Sequence, residues 1–162
     1  MERKLLVGIL GNEGSGKSLT WSTLFGRNVH TGKNIRKLEI HDAKIPVFLI
    51  NESALERKTK LEYILPDIDP NIVLSSFLYH KDVVKNFEFF HKRNYDIYIH
   101  WLNPGYNDPN QKALFYNEGI INTLLSLGAI VSVKNGKESP LYRTTEIKNY
   151  IYSWHISQTK TL

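Results

Sequence analysis

The fold of this chain is decided by Leu5-Leu6-Val7-Gly8-Ile9-Leu10-Gly11-Asn12-Glu13-Gly14-Ser15-Gly16-Lys17-Ser18. The second half of this stretch fits the spacing G-x-x-x-x-G-K-[ST] without a mismatch. Glycines let the backbone curl, so that successive N–H groups point inward at one anion. Lys17 adds a positive charge, and the hydroxyl of Ser18 is a ligand for a divalent cation. The pattern therefore predicts a loop that holds phosphate groups.

The residues on either side of this loop predict a strand before it and a helix after it. Residues 5–10 are an apolar run of the kind found in buried central strands. Residues 19–25 have a helical pattern, and Gly26 is suited to end that helix. The N-terminus of a helix at this position would add the positive end of its dipole to the anion site.

A strand, a glycine-rich loop and a helix in this order resemble the phosphate-binding segment of P-loop NTPases. The resemblance implies nucleotide contacts along the whole loop and the first turn of the helix. The implied contact residues are Gly11, Asn12, Glu13, Gly14, Ser15, Gly16, Lys17, Ser18 and Leu19. It also implies a catalytic role for Lys17 at the β- and γ-phosphates, and Mg²⁺ coordination by Ser18.

Composition limits the remaining classes of protein. The chain has 162 residues, of which 41% are hydrophobic, so we expect one domain over residues 1–162 with a real core. It has no cysteine, and no apolar stretch approaches the ~18 residues of a membrane span. The cytoplasm is therefore the expected location. The net charge of +5 is scattered along the chain, so nucleic acid is not the favoured partner.

The rest of the chain alternates between strand and helix patterns. Strands at 38–40 and 45–50, joined by a four-residue turn, predict an early hairpin. Further strands are predicted at 71–77, 95–102 and 129–133, and helices at 53–65, 81–92, 108–127 and 143–156. This order predicts an α/β fold, a three-layer sandwich with a mostly parallel sheet of about six strands and helices on both faces.

The early hairpin and the six-strand plan resemble the small Ras-like GTPase domain. The resemblance implies that Thr31 is the switch threonine that reaches the metal when triphosphate is bound. Asn103 would begin the base-reading N-K-x-D motif, and Ser132 would stand in the S-A-K motif. However, Pro104 and Gly105 follow Asn103, and the aspartate that selects guanine is missing. The base therefore remains open between guanine and adenine, and a simple turn at Asn103 is an equal alternative.

The third strand departs further from the Ras-like pattern. Asn51 occupies the place of the aspartate that holds Mg²⁺ through water, and Glu52 follows it. Glu52 is a candidate for the missing carboxylate, or for a base like the glutamate after a Walker B aspartate; the alternative is an exposed residue before a helix. The predicted metal set is Ser18, Thr31, Asn51 and Glu52, and the predicted catalytic residues are Lys17, Glu52 and Thr31.

These features together predict Mg²⁺-dependent binding of GTP or ATP with slow intrinsic hydrolysis, as in a GTPase-like switch that works with a protein partner. Two alternatives stay open. One is a nucleotide or small-molecule kinase, although the six arginines of the chain form no lid-like cluster. The other is a non-hydrolysing nucleotide-binding module, for which Tyr106, Tyr116 and Tyr142 are candidate interface residues.

Overall fold

The computed structural model describes residues 2–114 and 119–160, apart from the side chain of Lys160. Its elements follow one another in the order strand, helix, strand, strand and then helix and strand in alternation. The strands are β1 (Lys4–Gly11), β2 (Arg36–Ile40), β3 (Ala43–Ile50), β4 (Ile72–Leu78), β5 (Tyr95–Leu102) and β6 (Ile130–Lys134). The helices are α1 (Lys17–Phe25), α2 (Leu61–Ile64), α3 (Val84–Lys92), α4 (Ile120–Ser126) and α5 (Pro140–Lys160), and a single 3-10 turn (Lys81–Val83) precedes α3.

The six strands form one sheet in the order β2-β3-β4-β1-β5-β6. Only the β2–β3 pair is antiparallel; β3–β4, β4–β1, β1–β5 and β5–β6 are parallel. β1 therefore lies near the centre, and its last residues are level with the ends of β4 and β5. The glycine-rich loop (residues 11–18) thus emerges at the carboxyl edge of the sheet, where ligands bind in open α/β folds.

Two apolar layers cover the sheet, one on each face. Alternate residues of β1 point to opposite layers, as the two-residue period of a strand requires. Leu6 and Leu10 pack in a cluster that includes Phe87 of α3 and Leu124 of α4. On the other face, the cluster comprises residues of β1, α1 and α5, among them Leu5, Val7, Ile9, Trp21, Leu24, Ile147 and Ile151. The predicted α/β architecture, with a mostly parallel six-strand sheet and helices on both faces, is confirmed.

Two of the predicted helices are wrong in extent. The helix at 53–65 is replaced by one turn that ends at Lys58, where φ is +53°, followed by the four-residue helix α2. A lysine in this left-handed conformation ends a helix, and the amide of Thr59 bonds back to the carbonyl of Ala54 at 3.0 Å. The helix predicted at 108–127 begins only at Ile120; residues 108–114 are not helical, and residues 115–118 lie outside the described part.

The hairpin turn is also shorter than predicted. Two residues, His41 and Asp42, connect β2 to β3, and both have positive φ, +48° and +66°. Two consecutive left-handed residues define the tight turn that matches the twist of a hairpin. Residues 43 and 44, assigned to the turn on sequence grounds, belong instead to β3 and pair with Ile40 and Glu39.

Candidate functional site

The glycine-rich loop has a backbone that only glycine adopts readily at two positions. Gly14 has φ of +72° and Gly16 has φ of +102°, and both lie in the left-handed region. Gly16 directly precedes α1, so its conformation turns the chain from the loop into the helix. The amide of Ser15 bonds to the carbonyl of Asn12 at 3.2 Å, which closes the loop. α1 therefore follows directly from a short loop closed by its own hydrogen bond, and the first amides of a helix have no partner within the helix.

Lys17 is folded back across this loop. Its Nζ donates to the carbonyl oxygens of Gly11 at 3.1 Å and Asn12 at 2.9 Å. Only 6% of the side chain is exposed. Burial lowers the pKa of the Lys17 ammonium, and the carboxylate of Glu56 acts in the opposite direction. The structure thus holds the buried ammonium against two carbonyl oxygens at the start of the loop.

A second loop, residues 103–108, braces the glycine-rich loop from the side of β5. The amide of Tyr106 donates to the carbonyl of Ser15 at 3.0 Å, and the amide of Asn107 donates to the carbonyl of Gly14 at 3.1 Å. The two loops approach so closely that a Cβ on Gly105 would lie 2.5 Å from the Cβ of Ser15. These contacts fix the conformation of the glycine-rich loop through its carbonyl groups.

Asp108, which the sequence places at the start of a helix, instead closes this second loop. One of its carboxylate oxygens accepts a hydrogen bond from the amide of Gly105 at 2.8 Å. Both oxygens also lie 3.3 Å from the side-chain nitrogen of Asn12. The carboxylate of Asp108 therefore accepts from a preceding amide in a turn that packs against the glycine-rich loop. It does not cap a helix, and no helix begins here.

The structure brings together three of the four residues predicted to surround a metal ion. The hydroxyl oxygen of Thr31 accepts hydrogen bonds from the amide of Asn51 at 2.9 Å and from the amide of Glu52 at 3.4 Å. The side-chain oxygen Oδ1 of Asn51 is buried and has no hydrogen-bond partner among the described residues. Ser18, the fourth, is exposed on the first turn of α1, and Glu52 is exposed at the end of β3. An amide oxygen without a partner among the described residues, on a residue whose backbone bonds to Thr31, has the chemistry to bind a cation or its water.

The two residues predicted to contact a base are placed differently from one another. The side chain of Asn103 bonds to both backbone groups of Leu114, donating to the oxygen at 2.9 Å and accepting from the amide at 3.0 Å. The side-chain amide of Asn103 is therefore already hydrogen-bonded within the protein. Ser132 lies within β6, paired with His100, two residues before the strand ends at Lys134. Of the predicted interface tyrosines, Tyr106 and Tyr142 are exposed, and Tyr116 lies outside the described residues.

Sequence reasoning missed Glu56, which contacts the central lysine of the loop. Its Oε1 lies 3.6 Å from Nζ of Lys17. The same oxygen accepts a hydrogen bond from the hydroxyl of Ser53 at 2.7 Å, and that hydroxyl accepts from the amide of Glu56 at 3.1 Å. Ser53 and Glu56 have the spacing S-x-x-E, which is typical of a local pairing of this kind. Nothing in the local sequence indicates that the carboxylate faces a lysine 39 positions earlier.

Arg143 is a second residue that sequence reasoning missed, although it lies beneath the loop. It is 3% exposed and reaches from α5 to α1, where its Nε donates to the hydroxyl oxygen of Thr20 at 2.9 Å. Its Nη2 atom is buried without a hydrogen-bond partner among the described residues. A Cβ on Gly16 would lie 3.4 Å from this atom. A buried guanidinium thus adds positive charge directly behind the first turn of α1.

Two cavities bear on the location of the site. A cavity of about 140 Å³ adjoins the glycine-rich loop, with Asn12 and Asn103 in its wall beside the stacked rings of Tyr79 and Trp101. A larger cavity of about 880 Å³ lies at the opposite edge of the sheet, beside Asn71 and the end of α5. Among the described residues, none that was predicted to bind nucleotide lines the larger cavity.

Comparison of the chain with protein families, with curated proteins and with solved structures yields no match. Within residues 2–114 and 119–160, no three histidine or acidic residues cluster in a way that would hold a metal ion by themselves. In the same part of the chain, no helix has the length and apolar character needed to cross a membrane. Functional inference therefore rests on the geometry of the glycine-rich loop and its neighbours.

Proposed function

We propose that this chain binds the phosphates of a purine nucleoside triphosphate, together with Mg²⁺, at the glycine-rich loop. The observation that carries the proposal is the position of Lys17, which is buried and folded back across a loop in which Gly14 and Gly16 are left-handed. Loop amides, a lysine and a helix N-terminus are three sources of positive potential for one anion. Arg143, buried behind the same turn, adds to that potential.

Each part of the site has a role in this proposal. The loop amides hold the β-phosphate and Lys17 holds the γ-phosphate, and the hydroxyl of Ser18 together with Thr31 and Asn51 holds the metal ion or its water. The unpaired Oδ1 of Asn51 supports this assignment. When bound, Mg²⁺ neutralises phosphate charge and orients the phosphate oxygens. Asn51 supplies no charge, so we expect weaker metal binding than an aspartate would give.

We propose that hydrolysis is slow without help from a partner. Glu52 is exposed at the end of β3, and its amide is tied to Thr31, so its carboxylate stands at the rim of the site rather than in a closed pocket. An exposed base in contact with bulk water positions an attacking water poorly. Such a protein would act as a nucleotide-dependent switch in the cytoplasm, completed by a protein partner.

The position of Asn103 bears on the identity of the base. Its side chain is hydrogen-bonded to both backbone groups of Leu114, so it is not free to contact a base. This observation favours ATP over a guanine-specific switch.

The test is a titration of the purified chain with ATP and with GTP, each with and without Mg²⁺, followed by measurement of phosphate release. We expect triphosphate binding that Mg²⁺ strengthens, with ATP bound more tightly than GTP. Lys17→Ala should abolish binding, while Lys85→Ala, an exposed lysine on α3, should leave it unchanged. Equal affinity in Lys17→Ala and the wild type would refute the proposed site.

Phosphate release separates the enzymatic proposals from one another. Glu52→Gln should slow release from bound triphosphate if Glu52 is the base, while the exposed Glu62→Gln in α2 serves as its control. Release that requires an added acceptor would identify the kinase alternative. Tight triphosphate binding without phosphate release, in both the wild type and Glu52→Gln, would identify the non-hydrolysing module.

A further inference from the structure

The ammonium of Lys17 already has an anionic partner, and that partner belongs to the protein. Nζ of Lys17 lies 3.6 Å from Oε1 of Glu56. Their side chains are 6% and 23% exposed, so solvent screens the pair only in part. A lysine in a phosphate-binding loop must face the phosphates to act on them. Glu56 therefore stands where it competes with the ligand for the same cation.

Glu56 is held in this position by its own segment rather than by chance rotation of a surface side chain. Ser53, which is 1% exposed, donates its hydroxyl to the carboxylate at 2.7 Å. The turn around it is closed by the amide of Arg57, which bonds to the carbonyl of Ser53 at 3.0 Å. The carboxylate thus sits on a buried serine at the base of a closed turn, and the turn follows directly from β3.

The competition depends on which phosphates a ligand carries. The loop amides can hold one phosphate group while Lys17 stays with Glu56 and with the carbonyl oxygens of Gly11 and Asn12. A further phosphate brings more negative charge to the position of Nζ, next to the Glu56 carboxylate. Two anions cannot share one partly buried cation without strong repulsion, so one of them must leave.

Resting on the function proposed above, we propose that Glu56 is a specificity-determining residue that makes triphosphate binding depend on exchange of Lys17 from its carboxylate to the γ-phosphate. A diphosphate binds without this exchange, and a triphosphate drives it. Glu56 therefore opposes triphosphate binding and leaves diphosphate binding untouched. In this respect it differs from Glu52, whose exposed carboxylate has no such contact with Lys17 among the described residues.

The experiment compares the affinities of nucleoside triphosphate and diphosphate for the wild type, Glu56→Gln and Glu62→Gln, using the tighter-binding purine with Mg²⁺. Glu56→Gln keeps the size of the side chain and removes its charge. We expect its triphosphate affinity to rise about three- to tenfold, the range of a partly buried ion pair. Diphosphate affinity should be unchanged, and Glu62→Gln should match the wild type throughout. Glu56→Asp, which withdraws the carboxylate by one methylene, should show a smaller gain and serves if the glutamine variant fails to fold.

Each outcome decides between distinct conclusions. If the wild type binds triphosphate and Glu56→Gln binds it no more tightly, the exchange is wrong and the ion pair only stabilises the apo loop. If affinity is unchanged but phosphate release slows, Glu56 activates water and the exchange is likewise wrong. If neither protein binds any nucleotide, the proposed function fails together with this inference. A gain for both diphosphate and triphosphate would show general electrostatic relief and would overturn the selective role.

Discussion

Arg143 donates a hydrogen bond from Nε to the hydroxyl oxygen of Thr20 at 2.9 Å, and this contact joins the last helix to the first. Thr20→Val keeps the shape of the side chain and leaves the buried guanidinium without this acceptor. We expect the free energy of unfolding to fall by about 1–3 kcal/mol, because a buried donor loses its partner. Urea denaturation measures the change.

Thr23→Val is the matched control for this substitution. Both threonines lie on α1, and both donate to the carbonyl four residues earlier, Gly16 for Thr20 and Leu19 for Thr23. Only Thr20 accepts from Arg143. Equal losses of stability in the two variants would mean that the contact between the helices contributes nothing measurable.

Gly105 should be needed for the site and Gly26 only for stability. A Cβ on Gly105 would lie 2.5 Å from Cβ and 2.9 Å from Cα of Ser15, so Gly105→Ala must push the two loops apart. We expect triphosphate affinity to fall by about tenfold or more, since small displacements of a binding loop are costly.

A Cβ on Gly26 meets nothing within 4 Å, but φ there is +70°. Gly26→Ala should cost about 1 kcal/mol of stability and leave the affinity unchanged; a similar loss of affinity in both would contradict the argument.

His100 should make the fold sensitive to acid. Burial lowers the pKa of His100 to about 4, and its Nε2 is paired with the hydroxyl of Tyr98 at 2.8 Å. Glu146 acts against this shift, and the charges of Lys134 and Arg143 act with it. The unfolded chain takes up a proton on this residue below about pH 6.5, while the folded chain resists until near pH 4. The contribution of His100 to the free energy of unfolding is therefore fully present above pH 6.5. It is lost as the pH falls toward 4, which lowers the stability by on the order of 3 kcal/mol.

The measurement for His100 is urea denaturation at several pH values between 7 and 4.5. His100→Gln should flatten the decline, because it removes the group that the unfolded state protonates more readily. His91→Gln, which removes an exposed histidine, should keep it. Parallel curves for the wild type and His100→Gln would place the acid sensitivity elsewhere.

Asn51→Asp should strengthen the dependence on metal. The substitution puts a carboxylate oxygen at the buried position where Oδ1 has no hydrogen-bond partner within residues 2–114 and 119–160. We expect Mg²⁺ to increase triphosphate affinity about three- to tenfold more than in the wild type, because a charged oxygen binds a hard cation better than an amide oxygen. Without Mg²⁺ the variant should be less stable than the wild type. Asn86→Asp on α3 is the control, and an equal gain there would remove Asn51 from the metal site.

The strands, the hairpin and α1 could be predicted because their information is local. The apolar run before Gly11 and the helical pattern ended by Gly26 are set by neighbours in sequence, and the structure confirms both. The helices at 53–65 and 108–127 were wrong for different reasons. The first ends early because Lys58 takes a left-handed conformation, and the second does not begin at Asp108 because the carboxylate of Asp108 accepts from the amide of Gly105 in a turn.

The order of strands in the sheet could not be predicted from the periodicity. The pattern of β4 is that of any buried strand, and nothing in it indicates pairing with both β1 and β3. The same holds for Arg143, a lone arginine in a helical pattern whose burial depends on Thr20, 123 positions earlier. Long-range contacts of this kind depend on how the elements pack against one another. They include the contact of Arg143 with Thr20 and that of Glu56 with Lys17.

The central position of β1 also has a consequence for the kinetics of local opening. β1 is hydrogen-bonded along its length to β4 on one side and to β5 on the other. Strands enclosed in this way are the last to exchange their amide protons, since they open only when the whole fold does. The loop that follows Gly11 is thus anchored to the most slowly exchanging part of the chain. Fraying of the edge strand β2, which pairs with β3 and not with β1, would therefore leave the start of this loop in place.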